Sequence, residues 1–142
     1  MVWGFGGVGY GPWRTDQMLQ TDDAAAILAD IVGTVRAKGA AEGYRKLFTQ
    51  DGHGKPRVSY LSVVSGTKLL YFAGMGYDLS PRPLIYDAYV SKRLRSLRLD
   101  LPWAVDPGAL STEQYDQYCR WAEGVAQECG VESDDVECAL FG

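Results

Sequence analysis

Apolar residues at helical spacing are the feature that most constrains how this chain folds. The pattern is fullest in the segment after Thr21, in residues Ile27, Leu28, Ile31, Val32 and Val35. Steps of three and four residues place these side chains on one face of an α-helix, which is then buried against the rest of the protein. Gly39 predicts the end of this helix. Runs typical of β-strands are few, so the chain is predicted to be mainly α.

Caps and helix-breaking residues predict the other helices. The clearest signal is Ser111-Thr112, where either hydroxyl can cap a helix that has Glu113 in its first turn. The segment 58–64 is predicted to be either a short helix or an extended run. Residues 1–14 are interpreted as an irregular aromatic loop rather than as a dinucleotide-binding motif. The expected helices are a second one at 40–48, one from Thr67 to Gly74 or Gly76, and further ones at about 86–97, 111–129 and 134–140.

Length and composition favour one globular domain over residues 1–142. The chain has 46% apolar and 23% charged residues, close to the average of globular proteins. It has no apolar stretch long enough to span a membrane and no visible secretory signal, so a cytoplasmic location is the default expectation. With three cysteines, no CxxC and one histidine, neither a structural zinc site nor a four-cysteine iron–sulfur cluster is expected. No metal or cofactor is therefore predicted.

Charge is distributed unevenly along the chain. The total is −4, but residues 51–100 carry eight basic and four acidic side chains, a net of +4. Residues 101–142 carry one basic and nine acidic side chains, a net of −8. Phosphate binding depends on local positive potential rather than on the total. The middle third can therefore contact nucleic acid, although a solvated surface of mixed sign is an equally good interpretation.

The most informative segment is SGTKLLYFAGMGYDLSPRPLIYDAYV, residues 65–90. Ser65-Gly66-Thr67 predicts a tight turn that places Lys68 at the start of an apolar helix. Asp87 follows nineteen residues later, at the start of the next predicted helix. Two helices joined by the intervening loop can bring an amine and a carboxylate to the same cleft.

This segment resembles the helix–hairpin–helix DNA glycosylases, and within them the 8-oxoguanine glycosylase branch. The Gly-Thr-Lys turn, the apolar helix, the proline-containing loop and the Lys-to-Asp separation carry the resemblance. With WGFGGVGYGPWR upstream, the chain also looks like bacterial OGG-fold proteins found in phage-defence settings. The resemblance implies a helix–hairpin–helix glycosylase-like helical bundle, with its catalytic segment at 58–98.

The same resemblance implies a substrate, DNA with a modified or damaged base, and a set of functional residues. Lys68 matches the nucleophile that attacks the sugar and forms a Schiff base, which β-elimination can follow with strand cleavage. Asp87 matches the carboxylate that stabilises positive charge on the sugar. The expected backbone contacts are Gly66, Thr67, Lys92, Arg93 and Arg95, and the base-pocket candidates are Tyr71, Phe72, Tyr86 and Tyr89.

Several alternatives stay open at this point. The hairpin keeps only Gly66 of the two glycines usual in the superfamily, and the chain is short for it. It is therefore a fragment lacking an N-terminal portion, a minimal member, or one that forms a homodimer. If the two residues are not catalytic, Lys68 is interpreted as a solvated surface lysine and Asp87 as a helix cap. A non-catalytic module that binds DNA or a protein partner is the alternative function.

Overall fold

The computed structural model describes residues 10–50 and 52–142, and this part of the chain is mainly helical, as predicted. The described residues form seven α-helices and one two-stranded antiparallel sheet. A short 3₁₀ helix, Pro107–Ala109, precedes the sixth α-helix. The elements, in chain order, are α1 (Tyr10–Leu19), α2 (Ala24–Lys38), α3 (Ala40–Arg45), β1 (Phe48–Gln50), β2 (His53–Pro56), α4 (Val63–Gly74), α5 (Ala88–Ser96), α6 (Thr112–Cys129) and α7 (Ser133–Phe141).

The core lies between α2, α3, α4 and α6. Helix α7 packs against both α5 and α6. Tyr44 of α3 stacks on Tyr115 of α6 with ring centroids 4.7 Å apart, and both side chains are fully buried. The Tyr44 hydroxyl donates to the Leu110 carbonyl at 2.6 Å, which satisfies its polar end inside the core. The periodic face of α2 supplies Ile31 and Val35 to this core, as its spacing predicts.

The predicted helix after Ser111 is confirmed, with its cap. The Ser111 hydroxyl accepts from the Gln114 amide at 3.1 Å, while the Gln114 side chain accepts from the Ser111 amide at 2.9 Å. This reciprocal capping box fixes the start of α6. The helix ends at Gly130, whose φ of 69° lies in the left-handed region that favours glycine. No described helix is long and apolar enough to cross a lipid bilayer.

Two expectations about the first third of the chain are wrong. The irregular loop expected over 1–14 is helical from Tyr10, and Pro12 fits there because the first turn of a helix needs no proline N–H. The predicted helix at 40–48 ends at Arg45, because the chain turns there into the hairpin of β1 and β2. The glycine pattern at Gly4, Gly6 and Gly9 lies outside the described residues.

The turn expected at Ser65-Gly66-Thr67 is also wrong, because α4 begins earlier, at Val63, with Ser62 as its N-cap. Gly66 lies inside the helix, and its amide donates to the Ser62 carbonyl at 2.7 Å. A Cβ at position 66 would lie 2.6 Å from Leu47 Cδ1, and Leu47 is fully buried. The glycine therefore permits close helix packing, and its amide is not available to a phosphate.

Candidate functional site

A pair of hydrogen bonds ties α4 to the chain just before α5. The Thr67 hydroxyl accepts from the Tyr86 amide at 3.0 Å and lies 3.3 Å from the Tyr86 carbonyl, to which it can donate. Thr67 and Tyr86 are both fully buried. Because Lys68 and Asp87 follow these two residues directly, the segments that carry them adjoin in the fold. Thr67 therefore joins the two segments through its side chain, and because it is fully buried inside α4 it is not exposed to a phosphate, which corrects the expectation for this residue.

Lys68 lies in the second turn of α4 and is partly exposed. It lines a cavity of about 190 Å³ together with Ser62, Ser65 and Tyr60 at the start of the helix. Arg14 and Met18 of α1 close the other side. Among the described residues Lys68 has no hydrogen-bond or ion-pair partner, so its amine is available to a ligand that enters this cavity.

Asp87 is the N-cap of α5. One of its carboxylate oxygens accepts from the Val90 amide at 2.9 Å, and the residue is 9% exposed. The helix-cap interpretation of Asp87 is therefore confirmed as a structural role. The carboxylate does not line the cavity that contains Lys68. The helix that it caps, α5, packs against α7.

A second cavity, of about 240 Å³, lies between α4 and α7. Tyr71 and Phe72 contribute from α4, Phe141 from α7, and Ile85 from the chain before α5. Tyr71 and Phe72 lie three and four residues after Lys68, so all three side chains share one face of α4. The base-pocket candidates Tyr71 and Phe72 thus share one cavity, and Lys68 lines the other one.

Glu137 gives this cavity a polar group that the sequence did not indicate. Its side chain is 5% exposed, and burial raises the pKa of its carboxyl to about 8 from an ordinary value near 4.5. The nearby carboxylates of Asp134 and Asp87 raise the pKa further, while a hydrogen bond with the Ile85 backbone opposes the shift. Glu137 therefore stays largely protonated at pH 7. In the sequence it stands in an acidic run, DDVE, where a solvated carboxylate is the ordinary expectation.

The rim of this cavity holds an ion pair and a tyrosine. Arg82 contacts Asp134 at 3.2 Å, and the Tyr71 hydroxyl donates to the other oxygen of Asp134 at 3.2 Å. Burial, followed by the charge of Asp134, raises the pKa of Tyr71 to about 12. The phenol therefore remains neutral and oriented at physiological pH. This network connects α4, the loop after it and α7 around the cavity.

The basic residues of α5 divide between two surroundings. Lys92 and Arg93 line a cavity of about 400 Å³ with Tyr89, which is 74% exposed. Neither cation has an ion-pair partner within the described ranges. Arg95 differs, because its guanidinium contacts the Asp106 carboxylate at 2.7 Å. Tyr89 thus lies among backbone-contact candidates and does not line the cavity between α4 and α7, although Phe141 lines both cavities.

Tyr86 is not a base-pocket residue. Its ring is fully buried and packs edge-on against Tyr118 with centroids 5.2 Å apart. Its hydroxyl donates to the Val105 carbonyl at 2.6 Å. The aromatic ring therefore belongs to the core, where no base can reach it, and the expectation for Tyr86 is corrected.

A family model described as "Putative 8-oxoguanine DNA glycosylase OGG-like protein" matches residues 1–141, nearly the whole chain. No curated protein and no solved structure matches the chain significantly.

Proposed function

We propose that this chain, which belongs to the OGG-like family, is a DNA glycosylase that uses Lys68 as its nucleophile and removes a modified or damaged base. The observation that carries the proposal is the hydrogen-bonded pair Thr67–Tyr86. It joins the two segments at the positions directly before the proposed nucleophile and the proposed catalytic carboxylate. The family match supports the reaction class and a DNA substrate.

Lys68 acts as a free amine in the proposed reaction. Its nitrogen bonds to the anomeric carbon of the sugar as the glycosidic bond breaks, and the base leaves with the bonding electron pair. Loss of a proton from nitrogen and opening of the sugar ring give a Schiff base. β-Elimination from that intermediate would then cut the strand. The unpartnered amine at the edge of a cavity supports this role.

Asp87 is proposed to stabilise positive charge that develops on the sugar. One carboxylate oxygen is engaged with the Val90 amide, which fixes the orientation of the group. A fixed carboxylate stabilises an oxocarbenium-like centre without reorganising during the reaction. The cap and the catalytic role are compatible, because the second oxygen is not needed for the cap.

The cavity between α4 and α7 is the proposed pocket for the extruded base. Tyr71, Phe72 and Phe141 offer aromatic surface for a planar ring, and Glu137 offers a protonated carboxyl that can donate a hydrogen bond. Extrusion of a base costs a few kcal/mol, which stacking and hydrogen bonds in such a pocket offset. Lys92 and Arg93 are proposed to hold the adjacent phosphates.

Borohydride trapping tests the proposal. Purified protein is mixed with duplexes that contain 8-oxoguanine, other oxidised or alkylated bases, or a preformed abasic site, and sodium borohydride is added. We expect a covalent protein–DNA adduct with wild type and none with Lys68→Gln. Lys55→Gln is the matched control, since it removes an exposed amine of β2 that does not line the Lys68 cavity. Absence of adducts and of base release on every duplex would remove the glycosylase assignment.

A non-catalytic DNA-binding module is the second candidate. It is favoured by one observation, that Asp87 lies outside the cavity lined by Lys68. Both candidates predict DNA binding that weakens with salt, but only the glycosylase releases a base. We further propose, on the resemblance alone, that the protein acts inside the cell, and that phage DNA is among its substrates.

A further inference from the structure

Glu137 is a buried carboxyl that lines the cavity between α4 and α7. It lies on α7, is 5% exposed, and shares the cavity of about 240 Å³ with the aromatic side chains Tyr71 and Phe72. Glutamate is rarely buried to this degree without an ion-pair partner, because removing a carboxylate from water is costly. A carboxyl in this position therefore calls for a chemical reason.

The surroundings of Glu137 favour its neutral form. Arg82, the cation at the rim of the cavity, is engaged by Asp134 at 3.2 Å and by Glu132 at 3.7 Å. Within the described part of the chain Glu137 itself forms no ion pair. Burial, and then the charges of Asp134 and Asp87, raise the pKa of its carboxyl to about 8. A carboxylic acid whose pKa lies close to the surrounding pH can give up its proton during a reaction and recover it afterwards.

Other ionisable groups surround this carboxyl. Those that interact with Glu137 electrostatically or line the cavity with it are Tyr71 of α4, Tyr118 and Cys119 of α6, Asp87 at the start of α5, and Asp134 and Cys138 of α7, with Arg82 bound to Asp134. Burial raises the pKa of Tyr71 and of Cys119 to about 12, and that of Tyr118 well above its ordinary value. These three groups therefore keep their protons throughout the neutral range.

We propose that Glu137 is the general acid that protonates the base as the base leaves the sugar. This inference rests on the proposed function, which places the extruded base in this cavity, and it adds the source of the proton. The carboxyl O–H gives its proton to an acceptor atom of the base, while the bond from C1′ to the base breaks and its electron pair moves to the base. Glu137 is left as a carboxylate, which regains a proton from water before the next turnover.

This role indicates a class of substrate. An uncharged base would leave as an anion unless it received a proton, whereas a base made cationic by alkylation leaves as a neutral molecule without one. A general acid therefore accelerates the release of uncharged bases. Uncharged oxidised bases, rather than cationic alkylated ones, are the substrates that this cavity serves.

Glu137→Gln tests the proposal, because glutamine keeps the shape, a donor and an acceptor but cannot transfer a proton. Single-turnover release of 8-oxoguanine and other uncharged oxidised bases is measured between pH 5.5 and 9. At pH 6 the variant should release base about 100-fold more slowly, while its affinity for the same duplex by fluorescence anisotropy stays within about threefold. Glu128→Gln, the same change at an exposed position of α6, is the matched control and should keep the wild-type rate.

The ratio of the wild-type rate to the Glu137→Gln rate isolates the titration of Glu137. Titrations that both proteins share, including those of Lys68 and Cys138, cancel in this ratio. Above about pH 8 the ratio should fall by about tenfold per pH unit, as the wild-type acid loses its proton. A ratio that does not change with pH would overturn the proposal, and so would equal rates at pH 6.

Borohydride trapping on a preformed abasic site separates proton transfer from a general defect. That site has no base to release, so Glu137→Gln should trap DNA within about threefold of wild type. An equal loss of trapping and of base release would show a structural role and overturn the proposal. If wild type releases no base from any duplex, the proposed function and this inference fail together. If wild type is active and Glu137→Gln matches it, only the role of Glu137 fails.

Discussion

Thr67 and Tyr86 are joined by two hydrogen-bond contacts, in which one hydroxyl lies 3.0 Å from the Tyr86 amide nitrogen and 3.3 Å from its carbonyl oxygen. Thr67 and Tyr86 are nineteen residues apart in the sequence, which is also the separation of Lys68 and Asp87. This threonine therefore joins α4 directly to the segment before α5, which Tyr115 and Tyr118 of α6 also hold through the Leu84 and Ile85 carbonyls. The Lys-to-Asp spacing has a structural basis, because each of these two residues directly follows one partner of the Thr67–Tyr86 contact.

Thr67→Val tests this alignment, since valine keeps the shape of threonine and removes the hydroxyl. The buried Tyr86 amide then has no partner, and we expect a loss of about 1–3 kcal/mol in the free energy of unfolding. Urea denaturation measures the change. Thr67→Ser is the control, and it should retain most of the stability because it keeps the hydrogen bonds. Equal stability of the valine variant and wild type would show that the contact does not align the helices.

Asp87 has two roles in this account, and two substitutions separate them. Asn is as good an N-cap as Asp, so Asp87→Asn should unfold within about 0.5 kcal/mol of wild type. Asp87→Ala removes the cap and should cost about 1 kcal/mol. Both variants remove the charge, so both should lose at least 100-fold in the rate of base release. Full activity in Asp87→Asn would leave Asp87 as a helix cap alone.

Glu137 predicts a specific dependence of stability on pH. Its pKa is raised to about 8 in the folded state, so between about pH 4.5 and 8 the folded state retains a proton that the unfolded state has lost. The contribution of this carboxyl to the free energy of unfolding is complete below pH 4.5. Between pH 4.5 and 8 it decreases as the pH rises, by up to about 1.4 kcal/mol per pH unit. Above pH 8 no further loss follows.

Glu137→Gln removes that titration, because the amide cannot ionise. Relative to wild type, the variant should therefore become progressively more stable from pH 4.5 to 8. Thermal or urea unfolding at several pH values measures this difference. Asp135→Asn, a change at an exposed acidic position on the same helix, is the control. A constant difference between Glu137→Gln and wild type over this range would show that Glu137 is not protonated in the folded state.

Lys92 and Arg93 are predicted to supply phosphate contacts. Each contact that is removed lowers the slope of log affinity against log salt by about 0.9 for duplex DNA. Lys92→Ala combined with Arg93→Ala should therefore lower the slope by nearly two, whatever the DNA sequence. Arg95→Ala should change the slope less, since its guanidinium is engaged by Asp106. Fluorescence anisotropy over a salt series measures this, and an unchanged slope in the double variant would place the DNA elsewhere.

The sequence predicts much of the helical framework because local signals specify it. The Ser111 cap, the apolar face of α2 and the glycine that ends α2 depend on residues within one or two turns. The start of α4 could not be predicted in this way, because Gly66 is a breaker by propensity but serves to accommodate Leu47 from another element. Tyr86 and Glu137 show the same limit. Their burial depends on distant helices that the local pattern does not report.

The attachment site of trapped DNA tests the central claim most directly. The borohydride-reduced adduct with an 8-oxoguanine or abasic duplex is digested with protease and nuclease, and the modified peptide is sequenced by mass spectrometry. We predict that the residual sugar is found on Lys68, in the peptide from the first turns of α4. Attachment to another lysine, or to the amino terminus, would contradict the assignment of Lys68 as the nucleophile.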